Sequence, residues 1–368
     1  MASIRKRRTA KGDRWDVRYR DPEGKERTKG GFTAEKLAKA WAAKVEVSKQ
    51  DGAYVDPVRG KVTLRAYVMG TGNDPGWLAS QQQHSPGTTR NVSGIMRRLL
   101  RVHGDRPLSS ITRSDIQGWV GELAKTLSPS SVGAHAVWCA TVFKSAVLDG
   151  RIARTPCVQI RLPKVERALV VPMPIESVVG MANAIAPRYR ALVLFAASTG
   201  LRLGELAGLT VDRLDLKSGL VHVERQWTRE RRFAPTKTAA SVRVVPIDEG
   251  TVALLVDHLK RFPALPSGHA FHSGSSPLAI NRFHEVWAAA RSRAGLTGIT
   301  PHGLRHFYAS LLIRQGVDAK TVQSRLGHKN ISETMDTYGH LWPDHEERTR
   351  AAVASAFKVA LEGSQQVA

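Results

Sequence analysis

Residues 14–20, Arg14-Trp15-Asp16-Val17-Arg18-Tyr19-Arg20, alternate polar and apolar side chains, a period of two that predicts a strand. Asp21-Pro22-Glu23-Gly24 supplies a turn, and residues 25–32 return as a second strand. The period then changes. Thr33 reads as the N-cap of a helix whose apolar stripe is Leu37, Ala40, Trp41 and Val45. Over 61–168 the pattern is mainly helical, with helices predicted at 62–67, 87–103, 112–127 and 129–149. Ser114-Asp115 offers a cap-like start for the third. Ser128 as N-cap, with Pro129 at the first helical position, starts the fourth. Residues 154–165 are irregular and basic and read as an interdomain linker.

Beyond residue 169 helices alternate with short strands. An apolar helix at 188–198 leads into a turn at Arg202. Strands are predicted at 219–226, with Val221 and Val223 inward, and at 241–247, with Val242, Val244 and Ile247; Lys237 lies in the link between them. The expected fold is multidomain. A small α+β domain over 1–60 precedes an all-α domain over 61–168, linker included. A mainly α domain with a small antiparallel sheet fills 169–368, its tail from Ser364 disordered.

Charge sharpens the picture. The 368 residues hold 55 Lys and Arg against 32 Asp and Glu, a net +23. Residues 1–60 alone carry 16 basic and 9 acidic side chains. A charge that large calls for a polyanionic partner, most simply nucleic acid. Arg14, Arg18 and Arg20 on the first strand, and Arg97, Arg98 and Arg101 on the second helix of the helical domain, are the candidate DNA contacts; Arg90 and Arg106 belong to the same basic cluster. Cys139 and Cys157 are the only cysteines, with no metal-ligand spacing, so neither a disulfide framework nor a zinc site is expected, and a reducing cytoplasm fits. The basic residues 5–8 are not followed by an apolar stretch, so no secretory signal is expected. Contiguous apolar runs such as 191–197 are too short for a bilayer.

The chemistry sits in five short phrases: Thr199-Gly200-Leu201-Arg202-Leu203-Gly204-Glu205, Pro235-Thr236-Lys237-Thr238, His302-Gly303-Leu304-Arg305-His306, Leu326-Gly327-His328 and Asp336-Thr337-Tyr338. Two arginines, a lysine and two histidines ahead of one tyrosine point to covalent attack on a phosphodiester. Guanidinium groups bridge phosphate oxygens and stabilise the extra charge of the transition state; Arg202 and Arg305 suit that task. Glu205, three residues after Arg202, would hold it in place. Tyr338 is the candidate nucleophile. With a phenol pKa of about 10, only roughly one in a thousand is ionised at neutral pH, so it needs a proton acceptor, and His302 is the candidate. His328 would donate to the phosphate, and Lys237 is the candidate general acid for the departing 5′-oxygen. His306 is assigned a structural part, facing away from the His302 and Arg305 side of the helix, and Tyr308 reads as packing. There is no dense carboxylate cluster for two metals and no phosphate-binding GKS/T loop; neither a metal nor another cofactor is expected.

The order and phrasing of these residues resemble the tyrosine recombinases, phage-type integrases in particular, over nearly the whole chain. All six positions of the family pattern are filled, at Arg202, Lys237, His302, Arg305, His328 and Tyr338. The resemblance implies cutting and rejoining of duplex DNA at attachment sites through a 3′-phosphotyrosyl intermediate. It implies a C-shaped clamp on DNA and strand exchange through a Holliday junction within a homotetramer. The basic segment at 1–60 is similar to the arm-type DNA-binding domain of integrases that use a host DNA-bending factor and, for excision, a small directionality protein. A C-terminal helix over 346–362, with Val353, Phe357 and Leu361 in a stripe, is expected to dock on a neighbouring protomer. Competing readings are a transposon integrase, a chromosome-dimer resolvase, a type IB topoisomerase and a non-catalytic DNA-binding protein.

Overall fold

The structure is a computed structural model that describes residues 2–9, 12–21, 24–50, 59–166, 169–342 and, further on, 349–351, 353–355 and 357. The chain divides into two compact units, Met1–Glu166 and Arg167–Ala368.

The first unit opens with a three-stranded antiparallel sheet, β1 (Ser3–Thr9), β2 (Gly12–Arg20) and β3 (Glu26–Phe32), in the order β1-β2-β3. Strand β1 was not expected, because its basic run shows no apolar alternation. It pairs with β2 along its whole length, from Ser3 opposite Arg18 to Thr9 opposite Gly12, and its charges meet acids there: Lys6 Nζ lies 2.6 Å from Asp13 and Arg7 Nε 3.4 Å from Asp16. The turn after β2 closes with the Gly24 N–H donating to Asp21 O at 2.9 Å, Pro22 and Glu23 lying outside the described residues. Val17 and Tyr19, on the inner face, pack on helix α1 (Glu35–Gln50) through Ala38, Ala42 and Val45. The expected stripe of α1 is half right: Trp41 and Val45 face the core, with Ala38 and Ala42 in place of Leu37 and Ala40. The helix begins at Glu35, so Ala34 rather than Thr33 stands at its cap position, and Leu37 and Ala40 face solvent. Arg18 and Arg20 are exposed, whereas Arg14 is half-buried and donates to Asp13 O.

Helices α2 (Leu64–Met69), α3 (Gly76–Ala79), α4 (Pro86–His103), α5 (Arg113–Ala124) and α6 (Pro129–Leu148) enclose a separate core around Leu99, Ile116, Trp119, Val142 and Phe143. Each long helix starts at a side-chain cap: Ser85 for α4, Ser128 followed by Pro129 for α6. For α5 the cap is Thr112 in a reciprocal box with Asp115, not Ser114. Arg97, Arg98 and Arg101 are exposed along α4, but Arg106 is held by Asp115 at 2.8 Å. By composition α6 is long and apolar enough to cross a bilayer, although its apolar residues are not contiguous; Val132, Cys139, Val142, Phe143 and Ala146 are packed into this core. After α6 the chain runs as coil, with Cys157 Sγ 3.8 Å from Cys139 Sγ. Arg113 of α5 straps this coil by donating to the Val158 and Gln159 carbonyls at 2.9 and 2.7 Å.

The second unit comprises α7 (Ile175–Ala184), α8 (Pro187–Thr199), α9 (Leu203–Ala207), β4 (Leu214–Asp215), β5 (Leu220–Val223), β6 (Arg225–Trp227), β7 (Phe233–Pro235), β8 (Arg243–Pro246), α10 (Glu249–Arg261), α11 (Ile280–Arg293), α12 (Gly303–Arg314), α13 (Ala319–Leu326) and α14 (Ile331–Tyr338). Helix α8 runs through its core. The predicted strand at 219–226 is two strands in two sheets, β4-β5-β8 and β6-β7. Val221 and Val223 are buried as expected. On β8 the expected phase is inverted: Val242 and Val244 are 55% and 39% exposed, whereas Arg243 and Val245 point inward. Most of the expected C-terminal helix lies outside the described residues; those described there are helical, with Val353 and Phe357 exposed.

Candidate active site

The site gathers where four chain segments end or begin. Helix α8 stops at Gly200, whose φ of 63° is the left-handed conformation that glycine adopts readily. A Cβ at Gly200 would also meet the Tyr308 ring at 2.4 Å, which gives Tyr308 the packing part expected of it. The turn delivers Arg202 to the start of α9. There the Arg202 N–H donates to Glu205 Oε2 at 2.9 Å and its guanidinium to Oε1 at 3.0 Å, so Glu205 holds the arginine as expected.

Glu205 has a second partner, one that the spacing of the chain did not suggest. Arg243, entering from β8, donates to Glu205 at 2.9 Å, and both side chains are about as buried as the core, 4% and 3% exposed. Burial alone would raise the Glu205 pKa. Arg243 and Arg202 outweigh it and hold the carboxylate ionised, below its ordinary value.

Three arginines converge on the carboxyl end of α13. Arg305 donates to Leu326 O at 2.6 Å, Arg202 to Gly327 O at 3.2 Å and Arg243 to Arg325 O at 2.8 Å. The last carbonyls of a helix have no partner within it and carry its negative dipole end, so guanidinium groups bind there favourably. Arg305 also donates to Gly200 O at 2.8 Å, tying the α8 end to the α13 end. Arg305 is 3% exposed. Burial, then the neighbouring Arg202, pushes its pKa down to about 9. Three cations and one carboxylate leave a net positive charge at this end of α13.

His328 follows Gly327 and sits 2.9 Å from Thr334 through Nδ1. Burial first, then Arg305, Arg202 and Arg243, lowers its pKa to about 3, so the ring is neutral at pH 7. If Nδ1 accepts the Thr334 hydroxyl proton, Nε2–H remains as a donor. Lys237 is exposed on the loop after β7, which is anchored to the site by Thr238, 2.9 Å from Ser241; Arg202 in turn donates to Ser241 Oγ at 3.3 Å.

Tyr338 closes α14 and is 1% exposed, packed with Tyr308, Ile313, Val322 and Leu326. Burial pushes its phenol up to about 12, with Arg305 pulling the other way. The hydrogen-bond partner of the Tyr338 hydroxyl here is His306 rather than His302. Tyr338 Oη lies 2.8 Å from His306 Nδ1, and no hydrogen bond joins it to His302. The expectation that His306 faces away from His302 fails for a simple reason: residues four apart share a helix face, so His306 stands over His302, ring centroids 4.8 Å apart. His302 itself is exposed at the start of α12; desolvation first, then His306, Arg305 and Arg202, lowers its pKa. That spacing was visible in the sequence. Arg243 left a weaker trace, an arginine within a run of valines. Among the described residues no group of three or more His, Cys, Asp or Glu side chains could hold a metal.

Residues 173–345 match the phage integrase family. Tyrosine recombinase XerC of Shewanella amazonensis is 28% identical over 270 residues, 70% of this chain and 86% of that protein. XerC of Mycobacterium tuberculosis is 29% identical over 288 residues, covering 72% and 91%. Among solved structures, the Tn1549 transposon integrase in complex with transposon right end DNA superposes with a TM-score of 0.66 at 21% identity, covering 80% of this chain and 99% of that one. A lambda integrase tetramer bound to a Holliday junction gives 0.60 at 21% identity, covering 86% and 94%. The matched segment spans every residue of the site just described, and residues 173–345 form a domain of the phage integrase family, similar to the tyrosine recombinases.

Proposed function

We propose that this recombinase is an integrase that inserts phage or other mobile-element DNA at attachment sites and excises it again. The observation that carries the chemistry is the excess of guanidinium over carboxylate at the end of α13, beside the Tyr338 hydroxyl. Arg202 and Arg305 clamp the scissile phosphate, with His302 and His328 donating to its oxygens. Tyr338 attacks phosphorus to form a 3′-phosphotyrosyl link, and Lys237 protonates the 5′-oxygen as it leaves. The link conserves the energy of the phosphodiester, so the 5′-hydroxyl of a partner strand reverses the step without a cofactor.

The integrase reading draws on the N-terminal sheet. Arg18 and Arg20 are exposed on β2, a basic face suited to a second class of DNA site, and Arg97, Arg98 and Arg101 line α4 for the core site. A homotetramer on DNA, a host DNA-bending protein and an excision directionality protein are the partners this reading calls for. The XerC relatives favour one second reading, resolution of chromosome dimers.

A nicked suicide duplex tests the proposal. It carries the core site taken from DNA flanking the gene, so that cleavage releases a short fragment and traps the enzyme. The wild-type protein is expected to give a covalent protein–DNA band on a denaturing gel, and Tyr338→Phe none. A band that survives the substitution would move the attack to another residue. Paired attachment-site plasmids then separate the two readings: recombination that needs the arm sequences supports integration, and equal efficiency on minimal core sites supports resolution.

A further inference from the structure

We propose that His306, outside the family's catalytic set of six, is a further catalytic residue, the group that takes the proton from Tyr338. The proposal rests on the reading of Tyr338 as nucleophile given above.

His306 Nδ1 is 2.8 Å from Tyr338 Oη, within the range of a direct proton transfer, and the rings meet edge-on with centroids 5.6 Å apart. The pair is fixed from both sides. His306 lies in the first turns of α12, one residue after Arg305, and Tyr338 is held in a core of Tyr308, Ile313, Val322 and Leu326. Burial and Arg305 favour the neutral imidazole, and in its Nε2–H tautomer Nδ1 accepts from the Tyr338 hydroxyl. The groups facing it are Tyr338 from α14, and His302 and Arg305 from its own helix. His340, just past α14, is turned to Val170 O at 2.9 Å instead.

The step balances as follows. A bond forms between Tyr338 Oη and phosphorus as the bond from phosphorus to the 5′-oxygen breaks. The phenol proton passes to His306 Nδ1, and the 5′-oxygen takes a separate proton from the general acid. Rejoining runs in reverse: a 5′-hydroxyl attacks, and His306 returns its proton to the leaving phenolate. A buried phenol with its pKa near 12 needs such an acceptor, since direct ionisation at neutral pH is rare.

The test measures covalent cleavage by the full-length protein on the suicide duplex, with sulfur in place of the 5′-bridging oxygen. That leaving group departs without a proton, so the assay isolates the nucleophile. His306→Ala and His306→Asn are compared with wild type from pH 6 to 9. Asparagine can accept the Tyr338 hydrogen bond but not its proton, and unfolding curves and gel shifts establish that each variant folds and binds. Both variants are expected to slow cleavage by roughly 10²–10⁴-fold at pH 7. Their rates should then climb about tenfold per pH unit as the phenol ionises unaided, while wild type stays level. Wild-type rates in His306→Ala, or asparagine restoring the rate with a level profile, would overturn the proposal, the latter leaving His306 a positioning residue. Absence of a wild-type band would instead bring down the recombinase chemistry of Tyr338 itself, and this proposal with it.

Discussion

Glu205 is the carboxylate shared by Arg202 and Arg243, with Arg305 nearby, and it is 4% exposed. Removing one partner of a buried pair leaves the other charge uncompensated, which typically costs about 3–5 kcal/mol. Glu205→Gln is expected to lose stability of that order in urea unfolding and to abolish cleavage; a loss below about 1 kcal/mol would show the arginines supported by carbonyls alone. At this scale the sequence was informative wherever partners are close in the chain. Arg202 and Glu205 are three residues apart and were paired correctly. Arg243 lies 38 residues from Glu205 and its bond depends on strand phase, which a single chain does not display. His306 was misplaced by arithmetic rather than by any lack of signal.

Strand β8 shows why phase was lost among the elements. Valines at 242, 244 and 245 satisfy either alternation, and the deciding residue is a buried arginine, which hydrophobic patterning assigns to the surface. Burying the hydroxyl of Val245→Thr should therefore cost about 1–3 kcal/mol, whereas Val244→Thr should stay within about 0.5 kcal/mol; thermal unfolding of the pair checks the register. Helix α6 of the first unit was legible because Ser128 and Pro129 mark its start locally. Strand β1 was not, since its backbone pairing with β2 leaves no apolar alternation in a run of basic residues. If its sheet binds phosphates, Arg18→Ala with Arg20→Ala should flatten the dependence of log affinity for arm DNA on log salt, by about 0.9 for every phosphate that the two arginines neutralise. An unchanged slope would place the DNA elsewhere.

For the whole molecule, the cationic site sets a pH limit. His302, His306 and His328 all have folded pKa values below the unfolded value of about 6.5. Between those values the unfolded chain binds more protons, so stability is complete above the unfolded pKa and falls as pH drops below it towards the folded values, near 3 for His328. The urea midpoint should decline from pH 7 to pH 4, and His328→Gln should make the decline shallower. A midpoint flat over that range would mean the rings accept protons freely in the folded state.

Arg305 adds one more consequence. A charged side chain enclosed without a carboxylate of its own is compensated only in part, by the Gly200 and Leu326 carbonyls and nearby Glu205, until a phosphate arrives. Selection for heat resistance alone would therefore act against the enzyme. Arg305→Met is expected to melt at the same temperature as wild type or higher, and to leave no trace on a cleavage gel. In a lineage that has ceased to move DNA, this is the position where drift would first trade activity for durability.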